Sequence, residues 1–465
     1  MAEITYDEWM SESDALLWHI ERDPVLRSTV TSVWLFESSL DRARVDDVVE
    51  RMLTTLPRLR QRVVDDLPGV GAPRWEFDPA MDLGLHYRWI RLSGARPTFD
   101  DVLAHAANEA ARAFDKDRPL WELTVVDKVA GKRSALIFKV HHAIADGMGM
   151  VRMLEQMVDL GPEPTERPAV VAAADRAAST TPAAGRALGH RLATDTRTGI
   201  RATKASLRAA AALARDPVGA VRDARTNAAS VARVVKPAAT PLSPVMTGRS
   251  MSLRFRTATA SVDAMRAAGH TVDGRLNDAF IASLLSGLDR YHRAMGTPAH
   301  EVRLHMPVSV RGGDSEAAAG NQFVPTRMVL PLGAVDPAAR LREVHELLRD
   351  VRAEPALPHV NDISGAISRL GLGASVNVLG AMMKGCDITA SNVPGPPFPV
   401  WVAGARVERF FAYGPPAGSA LNVTVFSYDG TLHYGINIDP AAVTDPDLLV
   451  RCINEGVDEV TALAG

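Results

Sequence analysis

The 465-residue chain is predicted to be a mixed α/β protein built as two halves of similar size. Three observations carry that expectation. Short β-branched or alternating runs are interleaved with runs of helical period on both sides of the middle of the sequence. Hydrophobic residues make up 46% of the chain, enough for a large core divided among two or three domains. Between them, from about Pro162 to Pro244, lies a stretch dominated by Ala, Arg, Thr and Pro with almost no aromatic residues. These boundaries divide the chain into an N-terminal half (1–161), a linker (162–246) and a C-terminal half (247–465).

In the first half, "STVTSVWLFE" (Ser28–Glu37) is β-branched and alternates, as a strand does. "DRARVDDVVERMLTTLPRLRQRVV" follows with helical spacing at Val45, Val48, Val49 and Met52. Thr98–Phe114 is a second amphipathic helix with Thr98 as its N-cap. Arg133–Val140 reads as a buried strand, and Gly147–Gly161 as a helix closed by its glycine. In the linker, "SLRAAAALARD" (Ser206–Asp216) is helical by propensity. In the second half, "MSLRFRTA" predicts a strand, Leu276–Gly296 a helix, Glu301–Arg311 and "NQFVPTRMVLPLG" strands, and "PAARLREVHELLRDVRAE" a helix with charge pairs at helical spacing. "CDITASNVPGPP" and "LNVTVFSYDGTLHYGINID" come next, the latter with an Asp-Gly hairpin signal, before a final helix. No short internal repeat is present.

The bulk numbers narrow the function. A formal net charge of -3 gives no argument for nucleic acid as a partner. Two cysteines, Cys386 and Cys452, make neither a disulfide framework nor a thiolate metal site, which fits a reducing compartment. The acidic N-terminus lacks a signal-peptide pattern. The most apolar run, Leu370–Met383, falls short of the ~18–20 residues of a membrane span. A cytoplasmic protein is expected, with any contact to a membrane or lipid droplet peripheral. Between Arg186 and Lys236, nine arginines and two lysines stand against three aspartates. Such a helix can lie on an anionic membrane surface, or it can be a solvated linker packed on one face; the side opposite the arginines is mostly alanine.

The chemistry concentrates in "LIFKVHHAIADGMGMVRML" (Leu136–Leu154), where His141 and His142 end an apolar strand and Asp146-Gly147 follow. Zinc is a poor reading. Adjacent strand residues point to opposite faces, and neither a nearby Cys nor a His at helical spacing completes a site. A structural pair of core histidines is the ordinary reading of an isolated His-His. Here the pair stands where a strand turns through a glycine-containing loop into a helix, a place that positions a side chain and leaves it accessible. General base catalysis uses that placement. One imidazole enters a cleft as the other is held in the scaffold, Asp146 orients, and Gly147 allows the tight turn. No Gly-x-Ser-x-Gly elbow is present and neither Cys has a nucleophile's context, which favours direct attack by an acceptor with no acyl-enzyme. Met148, Met150, Met153 and Met157 recur at helical spacing, as core residues or as an adaptable acyl pocket.

"HHAIADG" resembles the HHxxxDG motif of the CoA-dependent acyltransferase superfamily, which includes chloramphenicol acetyltransferases and peptide-synthetase condensation domains. "DKDRPLWE" (Asp115–Glu122), "LNDAFIASLLSGLDRY", "MPVSVR", "GNQFVPTRMVLP" and "SNVPGP" occur in order and resemble bacterial wax ester synthase/diacylglycerol acyltransferases. "SDALLWHIE" resembles their start, without the usual Pro-Met-His-Val stretch after it. The resemblance covers almost the whole chain except the linker. It implies two chloramphenicol-acetyltransferase-like halves enclosing a central tunnel. It implies His142 as general base, His141 as support of the loop, and an ion pair between Asp146 and Arg311 stapling the halves. It implies substrate contacts from Asn277 and Asp278, or a helix N-cap in their place, and a channel lining of Ser391 and Asn392, or simply a strand-to-turn signal there. Pro119 and Trp121 would shape the acyl-CoA entrance, although a buried Trp is ordinarily core. The implied reaction moves a long-chain acyl group from acyl-CoA, the co-substrate, to diacylglycerol or a long-chain alcohol, with no cofactor and no metal. An amide-forming condensation enzyme shares HHxxxDG, but no carrier-like serine motif accompanies it here. A non-catalytic lipid-binding relative would not need His141, His142, Asp146 and Arg311 all intact.

Overall fold

The computed structural model describes residues 7–65, 72–94, 96–144, 147–166, 185, 189–194, 196, 214–219, 222, 225, 240–309, 323–333, 336–352 and 372–464. The first part of the chain runs α1 (Glu12–Ile20), β1 (Thr29–Phe36), α2 (Arg42–Thr55), β2 (Gln61–Val64), β3 (Arg74–Phe77), α3 (Leu83–His86), β4 (Tyr87–Ile90), α4 (Phe99–Ala111), β5 (Trp121–Val129), β6 (Arg133–His141) and α5 (Gly147–Glu155). The second runs β7 (Arg254–Ser261), α6 (Val262–His270), α7 (Leu276–Ala294), β8 (Glu301–Ser309), β9 (Phe323–Pro331), α8 (Pro337–Arg352) and α9 (Leu372–Lys384). It continues through β10 (Ile388–Pro394), β11 (Trp401–Val402), β12 (Ala405–Tyr413), β13 (Leu421–Tyr428), β14 (Thr431–Ile438) and α10 (Pro446–Thr461). Most of the basic linker, including the membrane-surface helix read there, lies outside the described residues.

Local chemistry accounts for the element ends. Thr98 accepts the Asp101 N–H and Asp101 returns a bond to the Thr98 N–H, a capping box that starts α4 where the sequence predicts it. Asp429 and Gly430 both have positive φ, 47° and 76°, the two-residue turn that joins β13 to β14. The helix expected over Gly147–Gly161 stops at Glu155. The reason is tertiary: the Asp159 N–H donates to the Trp401 carbonyl at 2.7 Å and Trp401 returns the bond at 2.9 Å, so this segment joins a β-bridge. The apolar Leu370–Met383 run forms most of α9, which packs against α1.

Two six-stranded mixed sheets result. One has the order β11-β12-β1-β6-β5-β4 and the other β7-β14-β13-β10-β8-β9. The first is buried on both faces. Trp34, Phe36, Leu136, Phe138, Trp121 and Phe410 join the α2 core, and Val33, Leu35, Ile137 and Val126 pack under α4. The second sheet packs on α7, which is buried on nearly every side. One segment crosses between the two sheets. Residues 401–413, expected within the second half, leave it to become the edge of the first sheet, where β12 pairs antiparallel with β1.

That crossing makes β12 the seam of the molecule. Tyr413 stacks on Phe255 at 3.9 Å and Phe410 on Phe426 at 4.1 Å. Arg406 bridges Glu37 at 2.7 Å and Asp429 at 2.9 Å. The sheets come so close that a Cβ at Gly435 would stand 2.0 Å from the Ala412 carbonyl oxygen. Since that neighbour is backbone, Gly435→Ala is expected to cost about 1–3 kcal/mol, the usual scale of overpacking. The cost is read as a lower urea midpoint. Gly161→Ala, with open space around it, is the matched control and is expected to unfold like wild type.

Candidate active site

β6 carries the chain from Arg133 to the two histidines, between β1 and β5. Strand alternation separates their side chains. His141 is 1% exposed, with Trp18 and Phe114 at its edges, 5.7 and 6.2 Å between centroids. Lys139, two residues back and so on the same face, lies over the same Phe114 ring. His142 begins the loop and is half-buried. Its N–H donates to the Ser28 carbonyl at 2.8 Å, which continues the β1–β6 pairing one step past the strand.

The His141 ring is hydrogen-bonded at Nδ1 and faces a carboxylate at Nε2. Nδ1 accepts the Ala143 N–H at 3.0 Å. An acceptor nitrogen carries no hydrogen, so the ring proton resides on Nε2. Nε2 lies 2.9 Å from Glu21 Oε1, ion-pair distance, with an alignment short of a hydrogen bond. Glu21 follows α1 and its side chain is 7% exposed. The same Oε1 accepts the Ser28 N–H at 2.6 Å, and Oε2 lies 3.3 Å from Lys116 Nζ, itself over the Trp18 ring at 3.9 Å. Burial acts to raise the Glu21 pKa; His141, the Ser28 N–H and Lys116 outweigh it and bring it to about 2. The folded value lies below the ordinary one near 4.5, so this group's stabilisation is complete above about pH 4.5 and is lost as pH falls towards 2.

The other sequence-predicted residues separate into three groups. Asp146 and Arg311 lie outside the described residues, and Gly147 opens α5. Trp121 is 1% exposed, donates its indole N–H to the Leu59 carbonyl at 2.7 Å and stacks on His86; Pro119 is buried beside it. Asp278 is fully buried, and its carboxylate accepts the Arg275 N–H at 2.9 Å and meets His345 at 2.9 Å and Arg352 at 3.0 Å. It therefore caps α7 and ties it to α8, the cap reading of this motif. Asn277 is half-buried with its amide near Met306 Sδ. On β10, Ser391 is half-buried and Asn392 exposed, at the end of the strand that emerges from the core. Met150, Met153 and Met157 are core residues.

Glu21, Lys116 and Ser28 are what the sequence reading missed. The available signal was an acidic residue ending an apolar helix, where the helix dipole disfavours it. No thiol competes for the role of nucleophile. Burial pushes the Cys386 pKa up to about 11 and also raises that of Cys452. A crevice between the halves, about 460 Å³ counting its solvent-open part, is lined by Arg27, Thr29, Ala111, Leu253, Pro415 and Ser419 among others. Thr29 is the cross-strand neighbour of His141. The arrangement offers a half-buried imidazole at a strand end, a group whose chemistry suits proton transfer.

Residues 10–280 match the wax ester synthase/diacylglycerol acyltransferase catalytic domain, and residues 319–461 match the WS/DGAT C-terminal domain. A Mycobacterium tuberculosis H37Rv protein named as a diacyglycerol O-acyltransferase is 32% identical over 456 residues, 97% of this chain and 91% of that one. The wax ester synthase/diacylglycerol acyltransferase from Marinobacter aquaeolei VT8 shares the fold with TM-score 0.65 and 18% identity, over 99% of this chain and 100% of that one. The first condensation domain of the calcium-dependent antibiotic synthetase shares it with TM-score 0.62 and 18% identity, over 99% and 96%. The chain belongs to the wax ester synthase/diacylglycerol acyltransferase family and is an acyltransferase.

Proposed function

We propose that this enzyme moves a long-chain acyl group from acyl-CoA to the hydroxyl of diacylglycerol or a long-chain alcohol, with His142 as general base and no acyl-enzyme. The observation that carries this reading is the unequal pair: His141 is locked by Glu21 and Ala143, and His142 is half-buried on the other face. The relatives' names support the acceptor class. A starter condensation domain of rhizomide synthetase solved in complex with C8-CoA shares the fold, with TM-score 0.57 and 14% identity over 98% of this chain and 94% of that one, which supports acyl-CoA as donor.

The acceptor hydroxyl gives its proton to the neutral His142 imidazole as its oxygen attacks the thioester carbonyl. The tetrahedral oxyanion collapses, the C–S bond breaks, and the CoA thiolate takes the proton from the imidazolium. Ester and free CoA leave, with no cofactor required. Both raised cysteine pKa values support the direct route. Gly147 opens α5 directly after the histidine loop. Asn277, Ser391 and Asn392, none of them fully buried, line a channel between the halves. Such acceptors partition into membranes and lipid droplets, so the enzyme works on them as a peripheral protein. No described helix is long and apolar enough to cross a membrane.

Single-turnover thiol release from palmitoyl-CoA tests the reading, with hexadecanol and dioleoylglycerol as separate acceptors. Release is expected with at least one of them, and His142→Ala is expected to lose roughly 10²–10⁴-fold. A mutant as fast as wild type sinks the base assignment; wild type silent with both alcohols but active with an amine sinks the acceptor class. Intact-protein mass spectrometry after palmitoyl-CoA alone tests the direct route. The expected spectrum lacks any increment of one palmitoyl group.

A further inference from the structure

We propose that Glu21 is a positioning residue for the base, one buried carboxylate that sets both histidines. The inference rests on the reading of His142 as general base. Two paths run from a single oxygen. Glu21 Oε1 faces His141 Nε2 at 2.9 Å, and His141 Nδ1 holds the Ala143 N–H at 3.0 Å, just beyond His142. The same Oε1 holds the Ser28 N–H at 2.6 Å, and the Ser28 carbonyl holds the His142 N–H at 2.8 Å. The backbone of residue 142 is therefore bracketed by two connections that end on one atom.

The local structure of α1 gives no reason for a carboxylate here. The side chain is almost fully withdrawn from water and stands at the C-terminus of α1, where the helix dipole repels negative charge. Lys116, over the Trp18 ring, supplies the opposite charge on Oε2 and leaves Oε1 to the histidine segment. Glu21 does not touch substrate in this account. It acts by holding the His142 imidazole on line with the acceptor hydroxyl, and a displacement near 1 Å at such a group costs up to ~10²-fold.

The test is a double-mutant cycle on single-turnover thiol release, using the full chain, palmitoyl-CoA and whichever alcohol wild type accepts. Glu21→Ala is expected to slow release about 10²-fold. It should leave the KM for palmitoyl-CoA within about twofold, since binding common to ground and transition states is untouched. In the His142→Ala background the same substitution should change the residual rate by less than about twofold, because Glu21 acts through His142. Glu21→Gln keeps the acceptor oxygen and the shape and is expected to lose about tenfold; it replaces Glu21→Ala in the cycle if the alanine variant does not fold. Side-chain ¹⁵N NMR gives a readout independent of turnover. Wild-type His141 should show the Nε2-protonated tautomer, and Glu21→Ala should move its Nε2 resonance as the facing carboxylate is lost. A wild-type rate in both Glu21 variants overturns the proposal, as does an equal loss in both histidine backgrounds. Full activity in the His142→Ala single variant overturns the base reading itself, and is visible before any Glu21 variant is made.

Discussion

Glu21 stands where two local rules oppose it, buried and at the negative end of a helix. Withdrawing a carboxylate from water costs several kcal/mol unless charge and hydrogen bonds replace the lost hydration. The replacements come from three separate stretches of chain: Ser28 at the start of β1, Lys116 after α4, and His141 at the end of β6. None of them is supplied by α1 itself. The carboxylate is satisfied only when α1, β1, β6 and the segment after α4 have all assembled, so correct packing of the first half and correct placement of the histidines are the same event. Glu21 remains charged down to about pH 2, which keeps this coupling intact across the range in which an imidazole can serve as a base.

The second half reaches the same strand from the other side. β1 lies between β6 and β12, with Thr29 opposite His141 on one edge and Thr31 opposite Tyr413 on the other. The histidine strand is thus one strand away from a segment whose flanking residues belong to the second sheet. Close approach at Gly435 and the aromatic stacks of Tyr413 and Phe410 leave little room for the sheets to slide. A two-half enzyme needs its reacting groups held in fixed relation, and an exchanged strand achieves this with main-chain hydrogen bonds instead of surface contacts alone.

Much of this was legible in the sequence because it is local. Thr98 and Asp101 sit at the spacing of a capping box, Asp429-Gly430 at that of a tight hairpin, and the run before His141 is buried because it is mostly apolar. The split between the two histidines followed from strand alternation. What escaped depends on partners distant in sequence. Nothing near residue 405 says that β12 pairs with residues 29–36, and the helix from Gly147 ends early because of Trp401, more than two hundred positions away. Glu21 was visible only as an ill-placed acid, and its meaning required Lys116 and His141 to be brought beside it. Asp278 illustrates the reverse: its motif suggested substrate, yet its described partners are Arg275, His345 and Arg352.

Division of labour between adjacent histidines resolves a conflict inherent in a positioned base. A base must be reachable by substrate, and a reachable side chain is poorly held by its own contacts. Here the rigidity is placed in the neighbouring residue, whose ring is hydrogen-bonded at Nδ1, faces Glu21 at Nε2 and packs between Trp18 and Phe114. The peptide between them transmits it, because a planar trans unit leaves only a few soft dihedrals across which error can accumulate. In the proposed role, His142, half-buried at the strand end, turns towards the acceptor as its neighbour supplies the rigidity. The proposed route accordingly runs without a covalent intermediate. Once the base is fixed from behind, the gain lies in orienting the acceptor hydroxyl against the thioester, worth several kcal/mol when reacting atoms are held near ~3–3.5 Å. The buried thiols at Cys386 and Cys452, with raised pKa values, offer no better nucleophile.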